Sequence, residues 1–228
     1  MYADGARLSD MLSAHKEGIV KGFTTNPTLM SAAGVTDYGA FSREVLAVIT
    51  DLPISFEVFA DDFEEMAAQA RKIAKWGKNV YVKIPVTDTK GQSAISLIRE
   101  LSSEGLKLNV TAIMTLEQTG AVADAIAPGT PAIISIFAGR IADTGRDPIP
   151  LMREAVEMCA DRPHLEILWA SPREVLNVYQ ADACGCHIIT CTPDLIKKLR
   201  LRGKDLNEYS RETVQMFFDD GRKAKLSL

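Results

Sequence analysis

The chain has 228 residues, 46% of them hydrophobic and 25% charged, with a formal net charge of −4. That composition suits a soluble protein with a large buried core, and the acidic balance argues against nucleic-acid binding, which favours basic surfaces. No apolar run approaches the ~20 residues needed to cross a bilayer, and residues 1–10 carry Asp4 and Asp10 in place of a leader pattern, so a cytoplasmic protein with no membrane partner is expected.

Along the chain, short apolar and β-branched runs alternate with longer segments at helical spacing. The predicted strands are 2–4, 18–25, 54–59, 80–86, 107–113, 132–138, 165–170 and 187–191, with helices such as 63–75, 91–102, 116–126 and 148–159 between them. Several strands read as continuous hydrophobic runs, such as Ala132-Ile133-Ile134-Ser135-Ile136-Phe137. That pattern marks a parallel sheet covered by helices. Eight strand–helix repeats favour an α/β fold of the closed (β/α)8 type, a TIM barrel, over an open doubly wound sheet. No G-x-G-x-x-G fingerprint follows any strand, which removes the main argument for a dinucleotide-binding fold.

The whole chain, 1–228, therefore reads as one barrel domain. After the eighth repeat, 205–223 forms an additional C-terminal helix with Leu206, Tyr209, Val214, Phe217 and Phe218 as its apolar positions. It is expected to pack on the barrel or, preferentially, on a neighbouring subunit, because paired aromatics make good interface anchors. The cysteines at 159, 184, 186 and 191 lack the C-x-x-C spacing and the second ligand pair of a zinc site, so buried thiols and no metal are expected.

Barrels place chemistry at the C-terminal ends of strands and in the loops that follow. Those positions hold Asp4, Thr24 with Asn26, Glu57, Lys83, Asn109 with Thr111, Ser135, and Ser171. Taken singly, Asp4 is an ordinary turn residue, Asn26 before Pro27 a helix cap, and Ser135 a small core residue. Lys83 is more informative, because Val80-Tyr81-Val82-Lys83-Ile84-Pro85-Val86 is otherwise apolar. Either its stem lies on the rim with the ammonium in water, or burial favours the neutral amine that attacks a carbonyl. A protonated imine on such a lysine is an electron sink for carbon–carbon cleavage that needs no cofactor. Glu57 is likewise an acid among apolar neighbours, suited either to a structural ion pair or to general acid–base work. Asp4 is then the candidate base for a sugar hydroxyl. Ser171-Pro172-Arg173-Glu174 has the form of a capping box, and with Arg140 it makes a candidate phosphate site at a helix start.

Gly22-Phe23-Thr24-Thr25-Asn26-Pro27-Thr28-Leu29 resembles the G-x-T-T-N-P-[ST] signature of the transaldolases and related fructose-6-phosphate aldolases. Val82-Lys83-Ile84-Pro85-Val86-Thr87 resembles their Schiff-base strand, and Ser135 to Arg140 and the Ala170-Ser171-x-Arg173 segment follow in the expected order. The resemblance implies Lys83 as Schiff-base nucleophile, Asp4 as acid–base group for aldol cleavage, and Glu57 as positioner of a catalytic water. It implies that Thr24, Asn26, Asn109 and Thr111 hold the dihydroxyacetone unit and that water, that Ser135 contacts a substrate hydroxyl, and that Arg140, Ser171 and Arg173 bind phosphate. Glu57, Asn109 and Phe137 resemble the transaldolase branch; the aldolase branch has glutamine and tyrosine at the positions of Glu57 and Phe137. The implied activity is transfer of a dihydroxyacetone unit between sugar phosphates, as in the pentose phosphate pathway, by a homo-oligomer, pentameric or decameric.

Two alternatives stand beside it: an aldolase releasing free dihydroxyacetone, and a specialised transaldolase acting on an unusual sugar. The second is suggested by Pro172 and Trp169, which depart from the family pattern near the phosphate end. A barrel kept only as a scaffold would be expected to have lost Lys83, Asp4 or Glu57.

Overall fold

The computed structural model describes residues 1–225. Eight parallel strands close into a barrel in sequence order, the first pairing with both the second and the eighth. They are β1 (Tyr2–Asp4), β2 (Phe23–Thr24), β3 (Ile54–Glu57), β4 (Val80–Pro85), β5 (Leu108–Ile113), β6 (Ala132–Ile136), β7 (Leu165–Trp169) and β8 (Ile188–Cys191). The helices that link successive strands are α1 (Leu8–Glu17), α2 (Pro27–Ala32) with α3 (Tyr38–Val48), α4 (Phe63–Ala74), α5 (Ile95–Ser103), α6 (Leu116–Ala125), α7 (Ala138–Asp143) with α8 (Ile149–Met158), and α9 (Leu176–Ala183). α10 (Pro193–Lys198) follows β8. The strand–helix alternation read from the sequence is the one observed.

The strands alternate between two environments, as a pleated backbone requires. Ile54, Phe56, Val82, Ile84, Leu108, Val110, Ile134, Ile136, Ile167 and Trp169 belong to the buried layer between strands and helices. The intervening side chains face inward. Tyr2, Ile133, Leu168, Ala170 and Ile188 form a separate buried cluster there, with Tyr81 and Phe137 against it. This cluster fills the barrel interior with apolar side chains as in other barrels of this kind. Gly22 is required beside it, because a Cβ at that position would lie 2.5 Å from the Tyr2 ring. The remaining inward positions are polar, which is unusual for a core and fixes where the site lies.

Many strand and helix ends shift by one or two residues from the sequence reading, and three local features differ for a physical reason. The second strand is confined to Phe23–Thr24 because Gly18, at φ 68°, ends α1 in a left-handed turn. The helix expected from residue 91 begins at Ile95. Gly91, at φ 78°, sits in a turn closed by the Asp88 carboxylate, which accepts from the backbone N–H of Lys90 and Gln92. The capping box expected at Ser171 to Glu174 does not form. Ser171 is itself at φ 60°, α9 starts only at Leu176, and its first residues have no side-chain cap. Asn177 Oδ1 accepts instead from the N–H groups of Arg173 and Glu174, 2.7 and 3.1 Å away.

Trp169 also departs from expectation. It is fully buried in the helix-facing layer, so it lies on the opposite face of β7 from the barrel interior and cannot line a substrate pocket there. The chain divides into two compact units, Met1–Ile196 carrying the barrel and the residues from Lys197 on. The second holds a short 3-10 turn (Leu199–Leu201) and α11 (Leu206–Lys223), started by Asp205, which accepts from the Glu208 N–H. Leu206, Val214, Phe217 and Phe218 of α11 are exposed.

On the outer layer Phe56 is wholly buried, edge-on to Tyr38 at 5.9 Å and to Trp76 at 5.5 Å between ring centroids. Phe56→Ala is expected to cost about 3–5 kcal/mol, read as a shift of the chemical denaturation midpoint; a loss below about 1 kcal/mol would show that the layer repacks freely.

Candidate active site

The polar inward positions meet in three connected groups. The first is built on ladder register: Glu57 of β3 pairs with Lys83 of β4, which pairs with Asn109 of β5, so three functional side chains start side by side. The Lys83 side chain is 8% exposed, which excludes the solvated-rim alternative. Its ammonium donates to the Thr25 carbonyl at 3.1 Å and lies 3.2 Å from Glu57 Oε2. Among the described residues Lys83 is the one cation paired with that carboxylate oxygen. Thr25 is in turn fixed by its own hydroxyl, which donates to the Ser55 carbonyl.

The second group centres on Asp4 at the end of β1. Thr24 Oγ1 donates to Asp4 Oδ1 at 2.8 Å and lies 2.5 Å from Thr190 Oγ1 of β8. The third is a chain across β6, β5 and β3: Ser135 Oγ donates to Asn109 Oδ1 at 2.6 Å, and Asn109 Nδ2 donates to Ser55 Oγ at 2.9 Å. Above Asn109, the Thr111 hydroxyl is buried with no partner among the described residues. It sits beside a register shift in β5, where Ala112 is held at φ 62°. A left-handed non-glycine residue costs ~1–2 kcal/mol, and such strain gathers at functional sites.

Electrostatically the two acids share one cation. Burial pushes the Asp4 carboxyl above its ordinary range, against the opposing pull of the Lys83 ammonium and the Thr24 hydrogen bond. Burial likewise raises the Glu57 carboxyl, opposed by Lys83 and reinforced by Asp4. Two buried acids biased toward holding protons, beside an amine, are placed to exchange protons with it.

At the phosphate end, Gly139 and Ser171 approach so closely that a Cβ on Gly139 would lie 1.6 Å from the Ser171 carbonyl oxygen. Only glycine permits this contact. It brings the segment carrying Arg140 against the one carrying Ser171 and Arg173. The Arg140 guanidinium lies 5.9 Å from the centroid of the Phe137 ring. Arg173 is exposed and held by the Asp143 carboxylate, with Nε donating to Oδ1 at 3.0 Å and a second bond from Nη2 to Oδ2. The Asp143 pairing was not foreseen, and the helix start expected to supply N–H groups at Ser171 is absent. Asn26 caps α2 by accepting from the Leu29 N–H through Oδ1, and its amide N–H₂ has no hydrogen bond among the described residues.

Three participants were missed by the sequence reading. Ser55 lies two residues before Glu57 and Thr190 two residues after the inward-facing Ile188, so strict period-two counting would have found both. Tyr38 carries no strand signal. Its hydroxyl accepts from the Glu57 N–H at 2.8 Å and lies 3.2 Å from the Glu57 carbonyl, anchoring the end of β3 from α3. Burial raises the Tyr38 hydroxyl, so it stays protonated. The cysteines stay outside the site. Burial pushes Cys186 and Cys191 up to about 12, and His187 Nδ1 is occupied as acceptor from the Ile167 N–H.

A family model described as transaldolase/fructose-6-phosphate aldolase matches residues 1–228. Proteins named probable transaldolase are similar along most of their length. One from Dehalococcoides mccartyi is 35% identical over 193 residues, 83% of this chain and 85% of that protein. One from Streptococcus agalactiae is 38% identical over 197 residues, covering 83% and 84%. One from a Thermoanaerobacter species is 32% identical over 228 residues, covering 100% and 99%. Among solved structures, a mandelate oxidase variant with an FMN adduct superposes with a TM-score of 0.58 at 15% identity, covering 85% of this chain and 63% of the other, a likeness of fold alone.

Because Lys83 lowers both acids, Lys83→Met is expected to raise the titration midpoints of Asp4 and Glu57 further. Carbon-13 NMR of carboxyl-labelled protein reads this directly; unmoved midpoints would show that the ammonium does not govern the acids.

Proposed function

Because the chain belongs to the transaldolase/fructose-6-phosphate aldolase family, we propose that it transfers a dihydroxyacetone unit from a ketose phosphate to an aldose acceptor through a Schiff base on Lys83. The observation that carries this reading is the buried Lys83 amine facing Glu57 at 3.2 Å inside an otherwise apolar strand. A lysine in that setting is of little use to stability, since a buried ion pair rarely exceeds an apolar replacement. It is of great use as a nucleophile.

In the proposed cycle Lys83 passes its ammonium proton to Glu57, the freed amine attacks C2 of the ketose, and the carbinolamine loses water to give an iminium. Glu57, through water, takes and returns the protons of these two steps. The Asp4 carboxylate then accepts the proton of the C4 hydroxyl. The C3–C4 bond breaks, its electron pair passes to the iminium nitrogen, and a shorter aldose leaves. The resulting enamine attacks the carbonyl carbon of the acceptor aldose, whose oxygen takes the proton back from Asp4. Water then hydrolyses the new iminium and restores the amine. Thr111, with its unpartnered hydroxyl, and the Asn26 amide are suited to hold substrate hydroxyls or the water. Asn109 and Ser135, bonded to each other, supply their remaining capacity to the same group. Thr24 reaches the substrate only through Asp4. Arg140, Arg173 and Ser171 hold the phosphate, with Asp143 keeping the Arg173 fork in position.

Phe137 favours transfer over simple cleavage. It offers no hydroxyl to protonate the enamine, so the three-carbon unit waits for an acceptor. The exposed apolar side chains of α11 support the homo-oligomer, for which the pentameric or decameric count rests on the family resemblance alone. Among the described residues no helix is long and apolar enough to cross a membrane, in keeping with a cytoplasmic enzyme of sugar-phosphate metabolism.

With fructose 6-phosphate as donor, aldehyde release beyond one equivalent per site is expected to require erythrose 4-phosphate, and all release to vanish in Lys83→Ala. Asp4→Asn is expected to lower kcat by about 10²–10⁴, the usual worth of a positioned acid–base group. Phe137→Tyr is expected to release dihydroxyacetone without acceptor. Acceptor-independent release by the unmodified enzyme would instead establish the aldolase reading.

A further inference from the structure

The second hydrogen-bonded group contains a residue that the proposed cycle does not use. Thr190 lies on β8, buried, 166 residues from Thr24 in sequence and 2.5 Å from it between hydroxyl oxygens. A threonine hydroxyl has one proton. With Asp4 ionised, Thr24 spends its proton on Asp4 Oδ1, so it meets Thr190 as an acceptor and Thr190 is the donor. The polarity of the chain is thereby set from β8 through β2 to β1.

We infer that Thr190 is a positioning residue of the reaction: its hydroxyl fixes Thr24 as a donor to Asp4 Oδ1, so that Asp4 accepts and returns the substrate proton through Oδ2. This rests on the assignment of Asp4 as the acid–base group. Without Thr190, the Thr24 hydroxyl is free to rotate and to accept from a protonated Asp4, which places the proton on the wrong oxygen. With Thr190 in place, Oδ1 is blocked by an incoming donor and one oxygen alone is left to exchange. Chained hydroxyls polarise one another, so the Thr24 bond to the carboxylate is also strengthened by the one behind it. The strand register makes this possible. β1 is flanked by β2 and β8: Thr24 pairs with Asp4 and Thr190 with Tyr2, the preceding inward position of β1, and inside the closed barrel the two threonine hydroxyls come within reach of each other.

The other charged group that acts on Asp4 is the Lys83 ammonium from β4; Asp4 in turn raises Glu57 of β3 and the Cys191 thiol of β8. None of them is altered by a change at Thr190. Removing a donor from a chain that ends on a carboxylate destabilises the anion, so the group must titrate at higher pH.

The test compares wild type, Thr190→Val and Thr190→Ser. Valine keeps the shape and removes the hydroxyl; serine restores the hydroxyl and removes a methyl. The acidic limb of kcat for wild-type transfer is expected to move up by about half a pH unit in Thr190→Val, roughly a threefold loss at its low-pH end. KM for the ketose phosphate is expected to hold, because Thr190 touches no substrate. Thr190→Ser is expected to restore the wild-type limb even where its melting temperature falls. An unmoved limb in Thr190→Val, or a limb moved equally by serine and valine, would overturn the inference. Carbon-13 titration of the Asp4 carboxyl, assigned by its loss in Asp4→Asn, reads the same shift without substrate. That separates the two claims: an enzyme inactive on the sugar pair overturns the functional reading, whereas an unshifted Asp4 titration overturns the role of Thr190.

Discussion

One cation among acids, in a place where water is scarce, organises this molecule. Lys83 sits between the Thr25 carbonyl and Glu57, with Asp4 also within its field. Desolvating an amine and two carboxyls costs several kcal/mol, and their attraction returns only part of it. The fold can carry that cost because the polar side chains at the site are enclosed by apolar, buried layers. The helix-facing layer of Phe23, Phe56, Val82, Ile84, Leu108 and Trp169 is fully buried. Inside the barrel, Tyr2, Ile133, Leu168 and Ile188 fill the space that the polar groups leave. The polar side chains are thus held on a rigid ring of short strands, where their separations are set by ladder register and not by loop conformation.

The same constraint explains the local strain. Ala112 and Ser171 adopt left-handed backbones that favour glycine, and each stands beside a group assigned to substrate. At β5 the irregularity re-aims the strand end next to Thr111. At Ser171 it lets the chain fold against Gly139, so that the arginine-bearing segments after β6 and β7 meet. Strain of this kind is tolerated only where the surroundings over-determine the conformation, and a closed barrel supplies that.

The sequence showed the barrel plainly because its signal is repetitive: eight β-branched runs and eight helical segments leave few alternative architectures. Lys83 and Glu57 were legible for a simpler reason, being charges in apolar strands. What escaped was anything set by three-dimensional closure. The Thr190 to Thr24 contact exists only because β8 returns to β1. Tyr38 reaches Glu57 from a helix with no periodicity tying it to the site. The capping-box pattern at Ser171 misled because the motif describes local propensity, and the approach of Gly139 overrode it. Trp169 misled through its position in sequence alone; strand alternation puts it on the far side of β7 from the chemistry. Arg173 was found as a cation, but its pairing with Asp143 depends on α7 lying alongside, which no local pattern encodes.

The measurement that bears most directly on this account is reductive trapping. The enzyme is incubated with fructose 6-phosphate and borohydride, digested, and the adduct located by peptide mass spectrometry. The account expects a single reduced adduct on Lys83, absent from Lys83→Ala and from enzyme reduced without sugar. Turnover of the same sugar with Lys83 unmodified, or an adduct on another lysine, would contradict the claim that this buried amine is the nucleophile.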